Sequence, residues 1–123
     1  MILDTNAFFI PFQFNINLDA ELERTVGSYN YIIPSSVEDE LRGLASGGEK
    51  FAREALSLLE HLSPEVVPGS GVADQDVIAL ARERSGAVVT QDAVVRKRAK
   101  AAGIPVIFLR SGKHLVLSRP GLG

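Results

Sequence analysis

The chain has 123 residues, a formal net charge of −2 and 46% hydrophobic residues, which suits one compact domain, 1–123, with a single core. No apolar run reaches the roughly 18 residues that span a bilayer, and no segment reads as a signal peptide, so we expect a cytoplasmic protein with no membrane partner. The absence of cysteine excludes disulfides, thiolate metal sites and cysteine nucleophiles, so any metal must be bound by oxygen or histidine.

Strand-like and helical patterns alternate along the chain. We predict strands at 2–3, 31–33, 65–67, 87–90 and 104–109, with a short sixth strand possible at 114–117. Helices are predicted at 18–26, 35–44, 51–62, 73–84 and 92–102, and Pro11 interrupts a further helical segment at 7–14. Ser35 and Glu38 have the spacing of a capping box. The alternation predicts an α/β fold, with a mostly parallel five-stranded sheet, helices on both faces, and a loose tail from about 118.

Four acidic residues are expected at one edge of this sheet. Asp4 follows the first strand and Asp92 follows the fourth, so both belong to the carboxyl edge. Glu40 and Asp74 lie in the helices after the second and third strands, each within an apolar stripe of i, i+3, i+4 and i+7 spacing. Ligands of open α/β sheets bind at this edge.

Carboxylates that lie close together repel one another and need a compensating positive charge. Two of them about 5 Å apart repel by roughly 3 kcal/mol at an effective dielectric near 20. One or two Mg²⁺ or Mn²⁺ ions would supply that compensation, because both ions prefer oxygen ligands. Such a site activates water and neutralises charge that develops on a phosphodiester.

Each acid also has a structural interpretation. Asp4 and Asp92 stand where helix caps stand, and Asp74 and Asp76 suit the first turn of a helix. Glu40 lies beyond capping range, and its structural alternative is a buried ion pair with an arginine.

Basic residues follow the last acid, at Arg96, Lys97, Arg98 and Lys100. Their functional interpretation is nonspecific attraction to a phosphate backbone, and the alternative is a solvated helix face.

Several motifs together resemble the PIN-domain nucleases. They are Ile2-Leu3-Asp4-Thr5-Asn6, the run from Pro34 to Leu41, Ala73-Asp74, and Val89-Thr90-Gln91-Asp92. The stretch 88–110 is similar to the archaeal branch related to the small-subunit processome endonuclease of eukaryotes.

The resemblance implies a three-layer α/β/α sandwich and a metal-dependent endoribonuclease. It assigns the acidic quartet to Asp4, Glu40, Asp74 and Asp92, as catalytic residues and metal ligands. It makes Asn6 and Thr90 supporting polar groups. The implied partners are RNA, a second copy of the chain, and either a ribosome-assembly protein or an antitoxin.

Other functions share this pattern. A toxin ribonuclease of a toxin–antitoxin pair would use the same site as a ribosomal-RNA processing enzyme, and a catalytically weak PIN module would bind RNA or protein without cutting. A phosphoacceptor receiver domain would need an acidic pair after its first strand and a lysine after its last, and this chain has Asp4 alone and Arg110. In any nuclease, the short first strand must be central and well paired to hold Asp4 still.

Overall fold

A computed structural model describes residues 1–120. These residues form a six-stranded sheet, six α-helices and a 3₁₀ helix. In chain order the elements are β1 (Ile2–Leu3), the 3₁₀ helix (Thr5–Phe9), α1 (Ile10–Phe14), α2 (Leu18–Val26), β2 (Ile32–Pro34), α3 (Ser35–Ser46), α4 (Ala52–Leu62), β3 (Glu65–Val67), α5 (Ala73–Arg84), β4 (Val88–Val89), α6 (Ala93–Ala101), β5 (Val106–Arg110) and β6 (His114–Ser118).

The strand order is β3-β2-β1-β4-β5-β6, and every neighbouring pair is parallel except β5 and β6. The chain moves outward from β1 to β3 and then crosses to β4 on the other side of β1. Because parallel crossovers are right-handed, this reversal puts the later helices on the opposite face from the earlier ones. The predicted three-layer α/β/α sandwich is therefore confirmed.

The reversal makes the junction of β1 and β4 the topological switch point of the sheet. Crevices at such points, outside the carboxyl ends of the strands, are the usual ligand sites of open α/β sheets. The strand that carries Asp4 is thus next to the strand that leads to Asp92.

The first strand is short but central, as expected. It pairs with β2 on one side and β4 on the other, and Ile2 and Leu3 are fully buried. The Asp4 amide continues the ladder by donating to the Val89 carbonyl at 3.0 Å. The backbone of Asp4 is therefore held by the middle of the sheet.

The sheet has one strand more than the five predicted. Residues 114–118 form a full antiparallel strand against β5, across a turn in which Ser111 and Gly112 have φ of 57° and 65°. Ser118 still pairs with Val106, so the sheet extends into the start of the predicted tail. Residues 121–123 lie outside the described part of the chain.

One local prediction differs from the structure. Ser35 does not form a capping box, because α3 begins at Ser35 itself and the Ser35 hydroxyl instead accepts the Gly69 amide at 2.9 Å. The predicted interruption of the segment 7–14 is seen, since a 3₁₀ helix changes to α1 there, and Pro11 lies in the first turn of α1, where its missing N–H is not needed.

Across residues 1–120, no helix combines the length and apolar character that a membrane crossing requires.

Candidate active site

An open cleft of about 610 Å³ lies at the carboxyl edge of the sheet, beside the switch point. All four acids predicted from the sequence line it, as does Asn6. They reach the cleft from four different places in the chain: Asp4, Glu40, Asp74 and Asp92. The predicted convergence is therefore seen at the level of the cleft, although the four side chains are held in different ways.

Asp4 is the most firmly fixed of the four. It is buried, with 5% exposure, and both of its carboxylate oxygens accept hydrogen bonds. Oδ1 accepts the Thr5 amide at 2.9 Å, while Oδ2 accepts the Thr90 hydroxyl at 2.7 Å and the Asn6 side-chain amide at 3.0 Å. Asn6 and Thr90, which the resemblance makes supporting polar groups, thus both contact the Asp4 carboxylate.

Thr90 also connects Asp4 to the segment of Asp92. Its hydroxyl is fully buried and accepts the Asp92 amide at 3.1 Å. Asn6 ties the same segment down, because its side-chain oxygen accepts the Gln91 amide at 2.8 Å. These bonds fix the spacing between the loops that follow β1 and β4.

Burial raises the pKa of Asp4 above its ordinary value. The hydrogen bonds from Thr90, Thr5 and Asn6 act in the opposite direction, and the negative charge of Asp92 adds a smaller increase. The net effect is a carboxylate whose ionised form is disfavoured in the cleft. A bound cation would relieve that cost.

Glu40 does not occupy the buried stripe in which it was predicted. The buried residues of α3 include Val37 and Leu41, whereas Glu40 is exposed and lines the cleft from the edge of that stripe. The apolar spacing was identified correctly. However, only one face of α3 packs against the protein, so a residue at the edge of that face, such as Glu40, is already exposed to solvent.

Asp74 lies at the start of α5 and is about half exposed. Its side chain is 43% exposed, and Oδ2 lies 3.1 Å from Nη1 of Arg98 on α6. The buried face of α5 runs through Ala73, Asp76 and Val77, so Asp74 stands beside this stripe and not within it. Arg98 is therefore a neighbour of the cleft acids and not a free surface cation.

Asp92 caps α6, as its structural interpretation suggested. Its Oδ1 accepts the amides of Val94 at 2.8 Å and Val95 at 3.2 Å. The residue is exposed and lines the cleft at the same time. A capping role and a role in the cleft are compatible, because a carboxylate has a second oxygen with lone pairs of its own.

Asp76 lies in the first turn of α5, as predicted, but it also has a buried structural role that the sequence did not indicate. It is 8% exposed and accepts four hydrogen bonds, from the Ser36 hydroxyl, the Ser70 hydroxyl and amide, and the Gly71 amide, at 2.6 to 3.2 Å. Burial alone would raise its pKa, but these bonds outweigh burial and lower the pKa to about 2. Asp76 thus anchors the loop 69–71, which leads to Asp74.

Two charged residues of the cleft were not predicted. Glu49 and Lys50, in the loop between α3 and α4, also line it. Lys50 Nζ lies 5.0 Å from the ring centroid of Phe51. The sequence offers no periodicity in this loop after Gly47 and Gly48, so nothing marked these residues beforehand.

The four acids do not form a closed metal cage. Within residues 1–120, no three acidic or histidine side chains are already gathered closely enough to hold an ion. The chemistry of the donors nevertheless fits Mg²⁺ or Mn²⁺, since all four offer carboxylate oxygens. Glu40, Asp74 and Asp92 are exposed or partly exposed, so their side chains have room to turn toward an ion.

The basic cluster after Asp92 divides into two groups. Arg96, Lys97 and Lys100 line a separate groove of about 310 Å³ between α6 and the β5–β6 hairpin. Arg98 points elsewhere and pairs with Asp74. The four residues therefore do not act as one surface.

Comparisons with known proteins agree with this geometry. A family model described as a PIN-like domain matches residues 1–112. The chain is similar to ribonuclease VapC9 of Archaeoglobus fulgidus, with 33% identity over 118 residues that cover 93% of this chain and 85% of that protein. It is also similar to ribonuclease VapC4 of Methanocaldococcus jannaschii, with 28% identity over 122 residues that cover 93% and 92% of the two chains.

Among solved structures, the PIN-domain endonuclease Utp24 has the same fold. The TM-score is 0.81 at 23% identity, over 96% of this chain and 90% of that chain. A domain of a functionally unknown protein from Methanocaldococcus jannaschii matches with a TM-score of 0.60 at 21% identity, over 89% and 90% of the two chains.

Proposed function

Because the chain belongs to the PIN-like domain family, we propose that it is a metal-dependent endoribonuclease that hydrolyses RNA phosphodiester bonds. The observation that carries the proposal is the shared cleft. Asp4, Glu40, Asp74 and Asp92 come from four separate segments and line one opening at the switch point of the sheet. A structural role for each acid alone does not require all four to line one cleft.

Asp4, Glu40, Asp74 and Asp92 are the proposed ligands of one or two Mg²⁺ or Mn²⁺ ions. Such an ion lowers the pKa of a bound water and neutralises charge on the phosphodiester. The raised pKa of Asp4 is consistent with a carboxylate that is paired with a cation in the working protein.

The remaining polar residues have supporting roles in this proposal. Thr90 and Asn6 donate to Asp4 Oδ2 and keep that oxygen in place. Lys50 lines the cleft as a cation among acids and is suited to contact a substrate phosphate. The loops after β1 and β4 thus orient Asp4 while the substrate approaches from the open side.

The names of the relatives support RNA as the substrate, since both VapC9 and VapC4 are called ribonucleases. They also favour a toxin with an antitoxin partner as the second candidate. The fold that the chain shares with Utp24 does not distinguish such a toxin from a ribosomal-RNA processing enzyme with a ribosome-assembly partner. Homodimerisation and cytoplasmic location remain expectations from the sequence.

The proposal is tested by titrating Mn²⁺ and Mg²⁺ into the wild type and into Asp4→Asn. If the cleft binds the ion, a concentration a hundredfold above Kd adds about 2.7 kcal/mol of stability and raises the Tm by roughly 10 °C. Asp4→Asn should lose most of this shift and all metal-dependent RNA cleavage. Asp39→Asn is a matched control, because Asp39 is exposed beside Glu40 and does not line the cleft.

Two results would contradict the proposal. A Tm that does not respond to either ion at millimolar concentration argues against the metal site. A metal-dependent Tm shift that is equal in Asp4→Asn and wild type places the ion elsewhere. A normal Tm shift without RNA cleavage would support the alternative of a PIN module that binds without cutting.

A further inference from the structure

The groove beside α6 has a composition unlike that of the cleft. It is lined by Arg96, Lys97 and Lys100 from α6, and by Phe108 and Ser118 from the β5–β6 hairpin. We infer that this groove binds the phosphodiester backbone of single-stranded RNA and guides the strand into the cleft. The inference rests on the proposed ribonuclease function and assigns a path to its substrate.

The charges of the groove are available to an anionic ligand. No acidic residue of the described chain lines it. Four arginines elsewhere, at 24, 42, 84 and 98, each lie within 3.1 Å of a carboxylate. No such ion pair forms at Arg96, Lys97 or Lys100 within residues 1–120. Three cations that share one concave surface without internal compensation attract phosphate.

Phe108 holds one of these cations in place. The Arg96 guanidinium lies 4.6 Å from the centroid of the Phe108 ring, and that of Arg110 lies 5.6 Å from the same ring. Stacking on an aromatic ring restricts an otherwise mobile arginine while leaving its N–H donors free at the edges. Arg96 is therefore arranged to bind a phosphate with little further loss of conformational freedom.

The groove and the cleft meet at the first residues of α6. Asp92 lines the cleft, and Ala93, the next residue, lines the groove. An RNA strand with its reacting phosphate in the cleft would pass the start of α6 to enter the groove. An acidic peptide would match the groove alone, whereas RNA is also the proposed substrate of the adjoining cleft.

The test measures RNA binding without cleavage. A fluorescently labelled single-stranded RNA of 12 nucleotides is titrated with protein in EDTA, and its anisotropy is followed at several salt concentrations. The variant Arg96→Gln/Lys100→Gln is compared with Arg53→Gln/Arg82→Gln. The second pair removes the same charge from exposed positions that line neither the groove nor the cleft.

The groove variant should weaken binding by roughly tenfold and reduce the log–log salt slope by about 1.4, since each lost phosphate contact on a single strand accounts for about 0.7. The control pair should stay within about twofold of wild type, because it removes only long-range attraction. Equal losses in the two variants would overturn the inference, as would wild type that does not bind the RNA or prefers a poly-glutamate competitor.

Phe108→Leu tests the arrangement of Arg96. It should weaken binding by less than Arg96→Gln, and it should have no further effect when Arg96 is already glutamine. Full additivity of the two changes would show that Phe108 does not act through Arg96 and would overturn that step. Thermal melts verify that each variant is folded.

Failure of the groove and failure of the nuclease are distinguishable. If the groove variant loses binding but wild type cleaves no RNA with any metal, the RNA-binding role of the groove is supported and the proposed nuclease activity is contradicted. If the groove variant binds and cleaves as wild type does, the RNA-binding role of the groove is contradicted and the proposed nuclease activity is supported.

Discussion

Asp76 allows a quantitative test of how the cleft is built, because it lies behind the site and not in it. The substitution Asp76→Asn keeps the size of the side chain and removes its charge. In the wild type this buried carboxylate accepts two hydroxyls, from Ser36 and Ser70, and two backbone amides, from Ser70 and Gly71. The side-chain amide of an asparagine there would point N–H groups at the hydroxyls and backbone amides that now donate to Asp76, so donors would face donors.

The size of the effect follows from the pKa. Burial alone would raise the pKa of Asp76, but its hydrogen bonds lower it from 3.8 to about 2. At about 1.36 kcal/mol for each unit, the ionised form contributes roughly 2 to 3 kcal/mol at pH 7. Because the pKa is lower in the folded state, this contribution is present above about pH 4 and is lost as the pH falls through 2. At pH 3 about half of it should remain.

Urea unfolding of wild type and Asp76→Asn at pH 7, 5, 4 and 3 measures this directly. Glu21 also has a lowered pKa, of about 2, because of its bonds to Arg24, but Glu21 is present in both proteins and cancels in the difference. The difference in unfolding free energy should fall by about 1 kcal/mol between pH 7 and pH 3, because the ionised form loses about half of its contribution while the cost of the mispaired asparagine amide stays. A difference that is independent of pH would refute the reasoning and assign the effect to lost packing. Asp39→Asn, at an exposed position, controls for net charge.

Two other substitutions test the cleft itself. Thr90→Val removes the 2.7 Å bond to the buried Asp4 carboxylate and leaves the partly buried amide of Asp92 without its acceptor, so urea unfolding should show a loss of about 1 to 3 kcal/mol that Thr90→Ser restores. Arg98→Gln frees Asp74 from a surface pair worth at most about 1 kcal/mol, so stability should change little and Mn²⁺ affinity, by calorimetric titration, should rise. Weaker Mn²⁺ binding would instead make Arg98 a supporting residue of the site.

The fold was readable from the sequence because its signals are local. Apolar runs of two to five residues alternate with amphipathic helices, and helix 73–84 was predicted with its observed ends. The match of the PIN-like family model to residues 1–112 confirms the family that the sequence motifs suggested. The sixth strand was underestimated because His114–Ser118 pairs only through a hairpin turn. A hairpin register depends on contacts that are not local in sequence.

The cleft was predicted less completely, because side-chain environment is set by tertiary contacts. Which strands the acids follow could be read from spacing, and all four line the cleft. Spacing did not distinguish Glu40, at the edge of an apolar stripe, from a buried position. Nor did spacing identify Asp76 as a buried, hydrogen-bonded carboxylate, because its partners Ser36 and Ser70 are 40 and 6 residues away in the sequence. Gly69 belongs to the same network, since a Cβ there would overlap Asp76 Oδ2.

The four acids of the cleft differ in how firmly their side chains are held. Asp4 is 5% exposed and held by three hydrogen bonds at the end of a central strand. Glu40, Asp74 and Asp92 project from helices at exposed or partly exposed positions. A group already held in place loses little conformational freedom when it binds, whereas each mobile side chain costs about 0.5 to 1.5 kcal/mol to immobilise. Asp4 is therefore the fixed point of the cleft, and a cation that binds there must order the other three acids around this residue.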